Sequence, residues 1–274
     1  MNPHDKRSIE EKFGEHSTAY LVNKVLQPNI LFKFHNDNPY LENLLRENKL
    51  FYANYLRFND PFELRYKLKR IPKKQIHDFY FAFSLSVKRR VSGQELYPMI
   101  EDIFKDMLGE IGIVCLTAIP DNILMWAHYA NCHQGVCLMF DVTKDKMFTR
   151  VNPIIYSDSI AEVDISKYIL EETVKIITTK SAHWKYELEW RGVKIDGEGA
   201  YSFEAEALAG IIFGAKMEQS RKAYYAGLIK ELGLKIRLYE AELSNHLYKI
   251  NLREYKTGKK ISIDYSRVSH LLQQ

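Results

Sequence analysis

The residues best suited to chemistry lie in WKYELEWR, Trp184 to Arg191. Read as part of a strand over Tyr186 to Ile195, side-chain alternation places Glu187, Glu189 and Arg191 on one face and Trp184, Tyr186, Leu188 and Trp190 on the other. Two carboxylates separated by two residues of strand rise stand roughly 7 Å apart, here with a guanidinium beside them. Such a set can stabilise a positively charged, oxocarbenium-like centre at a ribose, or act as a general base on an attacking hydroxyl. The same alternation also describes a solvated strand face laced with cross-strand ion pairs.

A second constellation is MWAHYANCHQGVCLMFD, Met125 to Asp141. On a helix opened by an Asp121 cap, His128 and Cys132 fall four residues apart on one face, with His133 at the helix end. No second Cys/His pair of zinc spacing accompanies them, so no metal is expected. His128 and Tyr129 are expected to hydrogen-bond inside a cleft, with Met125 and Trp126 packed beneath and Gly135 making the turn into a strand. Cys115, Cys132 and Cys137 read as small core residues or idle thiols. In FNDPFE, Phe58 to Glu63, Pro61 pushes Asp60 out of helical geometry. That fixes a turn which is either purely structural or brings Asn59, Asp60 or Glu63 to the wall of a pocket.

These residues need elements to carry them. Ile30 to Phe34 reads as a strand with Phe32 and Phe34 on one face, followed by a helix over Tyr40 to Asn48 and an aromatic strand LFYANYL. Helices are expected at Ser17 to Gln27, Pro72 to Arg90, Gly93 to Leu108, Ile165 to Lys180 and Glu218 to Leu232. Strands are expected at IGIVCLT, GVCLMFD, Val151 to Tyr156, Ala209 to Phe213, Lys235 to Glu240 and His246 to Asn251. Short strands without regular βαβ alternation, and without GxGxxG or GxxxxGK[ST], predict an α+β fold: one mixed domain over 1–274 with peripheral helices.

Composition narrows the class. In 274 residues, 39 Lys+Arg against 35 Asp+Glu give a net charge of +4, and 46% hydrophobic with 27% charged residues excludes disordered, collagenous and membrane-spanning chains. An odd set of 3 cysteines is a poor disulfide framework and points to a reducing compartment, the cytoplasm. The charged opening residues lack the apolar region of a secretory signal, and no membrane association is expected. Charge is nevertheless uneven. Between Leu64 and Arg90 nine basic residues (Arg65, Lys67, Lys69, Arg70, Lys73, Lys74, Lys88, Arg89, Arg90) face one acid, Asp78, a local excess of +8. With interleaved aromatics this suits a nucleic-acid face, or a solvated one.

Taken in order, FNDPFE, NILMWAHYANCHQGVCLMFD and HWKYELEWR resemble an uncharacterised bacterial family of unknown function, over a core of about 30–243 flanked by an N-terminal helix and a C-terminal basic extension. More distantly the organisation is similar to ADP-ribosyltransferase folds. That resemblance implies NAD as the bound nucleotide and ADP-ribosyl transfer or NAD glycohydrolysis as the reaction, in a toxin or antiphage effector. It implies Glu189 as the carboxylate stabilising the ribose cation, Glu187 orienting the acceptor and His128 in the catalytic set. Lys33, His35, Asn59, Asp60, Tyr129 and Arg191 would hold the cofactor, with Tyr129 stacked on nicotinamide and Lys33 or His35 standing where a transferase has His or Arg. The alternatives are a nucleic-acid-binding module and a nonenzymatic partner in a multiprotein defence system.

Overall fold

The computed structural model describes residues 27–70, 93–167 and 169–265. The helices expected at 17–27 and 72–90 fall outside these residues, apart from Gln27, as do Lys73, Lys74, Lys88, Arg89 and Arg90 of the basic run.

Among the described residues the first elements are β1 (Ile30–His35), α1 (Pro39–Glu47), β2 (Lys49–Tyr52) and, after a short 3-10 turn at Tyr55–Arg57, β3 (Tyr66–Leu68). Next come α2 (Gly93–Gly109), β4 (Gly112–Thr117), α3 (Ile123–Tyr129) and β5 (Val136–Asp141). The short strands β6 (Asn152–Pro153), β7 (Ile155–Ser157) and β8 (Ala161–Val163) lead to α4 (Ile169–Thr178), β9 (Thr179–Ser181) and β10 (Glu189–Lys194). The last described elements are β11 (Gly199–Ser202), β12 (Leu208–Phe213), α5 (Gln219–Glu231), β13 (Arg237–Leu243), β14 (Ile250–Glu254) and β15 (Lys260–Ile261). This is an α+β fold.

Its centre is a nine-stranded sheet in the order β15-β14-β13-β12-β5-β1-β4-β10-β6. Every neighbouring pair is antiparallel except β12 and β13, which run parallel with α5 between them in sequence. The central strands are the apolar runs of the sequence, and β5 is buried from Val136 to Phe140, as a strand covered on both faces should be. One side chain set, with Leu41, Leu44 and Leu45 of α1 and Tyr225, Leu228 and Ile229 of α5, packs with Leu31, Leu138 and Ile211. Another gathers Phe32, Phe34, Met125, Trp126 and Ile212.

One junction in the sheet is incomplete. β1 pairs with β5 along six residues and β4 pairs with β10 along six, yet β1 and β4 share the single register pair Phe32↔Thr117. Beyond it the two strands part, and the sheet is split between Lys33–His35 on one side and the remainder of β4 on the other.

Several boundaries differ from the sequence reading for local reasons. LFYANYL is a strand only to Tyr52, because Asn54 accepts from the Leu56 N–H and caps the 3-10 turn. Val151 to Tyr156 is two short strands rather than one. The cap of α3 is Asn122, not Asp121: its Oδ1 accepts from Leu124 N at 2.9 Å and Met125 N at 3.1 Å. The helix ends at Tyr129, and Asn131, Cys132 and His133 follow with φ of 45°, 52° and 71°. Cys132 is therefore not one helical turn on from His128; it sits in a left-handed turn beyond the helix.

Gly135 closes that turn. A Cβ there would collide with the carbonyl oxygen of His35, so only glycine lets the start of β5 approach β1. Gly135→Ala is expected to destabilise the protein by about 2 kcal/mol or more, the cost of forced overpacking against backbone. Urea unfolding monitored by tryptophan fluorescence measures it.

Candidate functional site

The split between β1 and β4 opens into a cavity of about 360 Å³. Its walls include Lys33 from β1, Cys115 and Thr117 from β4, His128 and Tyr129 from α3, Asn59 and Glu63 from the turn after the 3-10 segment, Lys180 from β9, and Glu187 with Glu189. Segments distant in sequence are thus brought to one place because the sheet fails to zip there.

The tryptophan-flanked motif is not one continuous strand. Ala182–Glu187 forms a 3-10 turn, Leu188 is left-handed with φ 43°, and the strand begins only at Glu189. Glu189 and Arg191 share a face of β10 as alternation requires, whereas Glu187 reaches the same hollow through the reversal at Leu188. Its backbone is held by Thr117, whose Oγ1 donates to the Glu187 carbonyl at 2.5 Å. The FNDPFE turn is clipped to this segment: Asp60 Oδ1 accepts from Phe62 N at 2.8 Å and Oδ2 from Trp184 Nε1 at 2.7 Å. Asp60 is therefore a turn cap that anchors Trp184, and its neighbour Glu63 projects inward.

At the base of the cavity lies a buried ionic network. Glu187 is 3% exposed, Glu189 4%, Lys180 9% and Arg191 0%. Lys180 Nζ donates to Glu187 Oε2 at 2.5 Å and Glu189 Oε2 at 2.8 Å, and lies 3.3 Å from Glu63 Oε1. Arg191 grips Glu189 through Nε at 2.7 Å and Glu63 through Nη2 at 2.8 and 2.9 Å, while Nη1 donates to the Ile177 carbonyl at 2.8 Å. Tyr129 completes the set by donating its hydroxyl to Glu187 Oε1 at 2.6 Å.

The carboxylates are not equivalent. Burial pushes the Glu189 carboxyl up, but Arg191 and Lys180 together outweigh it and hold it down at about 2. Both Glu189 oxygens are engaged by these cations, so Glu189 is a permanent anion that fixes Arg191 and Lys180. Burial raises the Glu187 carboxyl above the ordinary range, and the attraction of Lys180, divided among three carboxylates, does not offset it. Glu187 is thus a carboxyl tuned towards proton exchange. For Lys180 burial opposes the charge, and Glu189, Glu187 and Glu63 override it, so its ammonium is permanent.

A pH dependence of stability follows from Glu189. Its native value of about 2 lies below the ordinary 4.5, so its contribution is complete above 4.5 and is lost as pH falls from there towards 2. Glu189→Gln is expected to flatten this acid limb in melting temperatures recorded from pH 5 to 2, and to lower the melting temperature at pH 7.

An aromatic cluster surrounds His128, which with Tyr129 lines the cavity. The exposed His128 ring meets Tyr129, Trp184 and Tyr186 edge-on at centroid distances of 6.0, 6.3 and 6.3 Å. Lys180 Nζ lies 5.1 Å from the Trp184 ring centroid, within cation–π range.

Of the residues singled out in the sequence, Lys33, Asn59, His128, Tyr129, Glu187 and Glu189 line the cavity. Arg191 lies beneath it, Asp60 serves the turn, and His35, whose Nδ1 is 2.7 Å from the Asn36 carbonyl, is not among the lining residues. Lys180 was missed. The sequence places it at the end of a helix over Ile165 to Lys180, but α4 stops at Thr178 and Lys180 falls on β9. Among the described members of the basic run, Lys67 pairs with Glu162 at 3.0 Å and Lys69 with Asp164 at 3.1 Å. Their charge is partly spent within the fold.

The site belongs to an α+β protein with a ligand-sized cleft at a sheet split, floored by a buried carboxylate–cation network. Residues 125–192, which carry His128, Tyr129, Lys180, Glu187, Glu189 and Arg191, match the family described as Protein of unknown function (DUF2971), which agrees with the resemblance carried by the MWAHYA and W-x-Y-E-x-E-W-R motifs. No curated protein and no solved structure matches the chain. Among the described residues no helix is long and apolar enough to cross a membrane.

Proposed function

We propose that the cleft binds the nicotinamide–ribose end of NAD and cleaves its N-glycosidic bond, passing ADP-ribose to water or to an acceptor. The observation that carries this reading is the pairing, in one cavity, of a permanently ionised carboxylate, Glu189, with a raised one, Glu187. Sites that split acid–base roles between two carboxyl groups do so by giving them opposed environments. In this reading the negative field of the network stabilises the developing ribose cation, and Glu187 takes the proton of the attacking hydroxyl. Glu187 thus keeps the acceptor side that the resemblance implies for it, while Glu189 acts through the field of the network and not by direct contact, since its oxygens are already engaged by Arg191 and Lys180.

Size and shape support the assignment. A cavity of about 360 Å³ falls at the lower end of the roughly 300–1,000 Å³ usual for ligand sites, enough for one end of a dinucleotide with the remainder along the rim. The rings of His128, Trp184 and Tyr186 offer apolar surface at the mouth for a planar heterocycle. Tyr129 is placed to position Glu187, its hydroxyl being engaged there.

The test is a thermal-shift titration of the purified chain with NAD. A ligand that prefers the native state raises the melting temperature, by about 2.7 kcal/mol of stabilisation at a hundredfold excess over Kd. A rise with NAD supports the reading, and no rise at millimolar NAD contradicts it.

A further inference from the structure

Three cationic side chains stand at the cleft, Lys180 and Arg191 buried and Lys33 half-buried in its wall, and Lys33 differs from the others. Lys180 is ringed by three carboxylates and Arg191 by two. Among the described residues, Lys33 Nζ donates to the Cys115 carbonyl at 3.2 Å, and it forms no ion pair. It spans the split in the sheet, reaching from β1 to the strand with which β1 has stopped pairing. An ammonium offers three donors and demands strong solvation. With one backbone acceptor and no carboxylate in contact, its charged form is poorly supported. Burial lowers its pKa below the usual lysine range, against the weaker pull of Cys115 and Glu189.

A desolvated primary amine in the wall of a cavity is a nucleophile towards carbonyl carbon. We propose that Lys33 is a reactive amine that captures an aldehyde, C1 of an open-chain ribose, as an imine. The Nζ lone pair forms a bond to the carbonyl carbon, and the carbonyl π pair moves to oxygen, which takes a proton as Nζ gives up the first of its two. The resulting carbinolamine then loses its hydroxyl as water while Nζ gives up a proton, leaving a carbon–nitrogen double bond. No redox change occurs, and one water leaves for each imine formed. Glu187 lines the same cavity and is the group suited to exchange these protons. The choice of ribose rests on the proposed cleavage of NAD, whose product carries that carbon as a masked aldehyde; the reactivity of the amine does not.

The experiment treats the full chain at pH 7 with cyanoborohydride, which reduces the imine to a stable secondary amine, and maps the adducts by peptide mass spectrometry. One arm uses ADP-ribose and the other acetaldehyde, with nicotinamide release from NAD followed separately. An amine in the cavity wall with a single backbone acceptor and a lowered pKa has a larger neutral, nucleophilic fraction than a solvated one, so Lys33 is expected to label several-fold faster than the median lysine in both arms. Lys33→Met, which keeps an unbranched chain without the amine, removes that adduct and leaves the remaining lysines unchanged. Selective labelling by acetaldehyde without labelling by ADP-ribose sustains the amine and overturns the sugar. Labelling of Lys33 by acetaldehyde no faster than that of surface lysines overturns the proposal, whether or not nicotinamide is released.

Discussion

Lys180→Met is expected to lower the unfolding free energy at pH 7 by about 3–5 kcal/mol, the range for removing one partner from a buried ion pair. The cause is the company Lys180 keeps. Its ammonium contacts Glu187, Glu189 and Glu63, and without it three buried carboxylates would face the single guanidinium of Arg191. The variant can relieve this by keeping a proton on one carboxyl. From an ordinary value of 4.5, that costs about 1.4 kcal/mol for each pH unit above it. The deficit should therefore shrink by about 3 kcal/mol between pH 7 and pH 4.5. Denaturant unfolding of both proteins at the two pH values measures it; a deficit below about 1 kcal/mol at pH 7, the range of an exposed pair, would show that the network is not buried as described.

Glu187→Gln should behave in the opposite way. The network sets three carboxylates against two permanent cations, and the raised Glu187 carboxyl shows that its ionised form is not favoured by the fold. An amide preserves shape and leaves the Tyr129 hydroxyl an acceptor, while Lys180 retains Glu189 and Glu63. Stability is expected to stay within about 1 kcal/mol of the native protein or to rise, as it does where an active site holds unfavourable groups. Activity is expected to fall by about 10²–10⁴-fold, the usual worth of a general acid–base group. Glu189→Gln removes a carboxylate held at about 2, so it should cost stability at neutral pH. The contrast between two glutamates two residues apart separates a reacting group from a structural one.

Much of the frame was legible because apolar runs and caps act locally. IGIVCLT and GVCLMFD became β4 and β5, and the periodicity of Leu41, Leu44 and Leu45 became α1. The pairing of Glu187 with Glu189 was also visible, but its geometry was not. Strict alternation suggested a strand through both, whereas a 3-10 turn and a left-handed Leu188 deliver Glu187 from a different direction. A positive φ at leucine is set by tertiary contacts, and no residue preference announces it. Lys180 was hidden for a related reason, since its burial depends on where α4 ends and on carboxylates contributed by two other segments. The split between β1 and β4, which creates the cavity, is a failure of pairing between strands more than 70 residues apart in sequence, and nothing local records it.

The most direct measurement is nicotinamide release from NAD, followed by chromatography, for the native chain and for Glu187→Gln at matched folded fractions. Turnover by the native protein is expected, with a loss of at least about a hundredfold in the variant and an unfolding free energy unchanged or increased. Equal release by the two proteins, or none by the native chain across acceptors and pH, would contradict it.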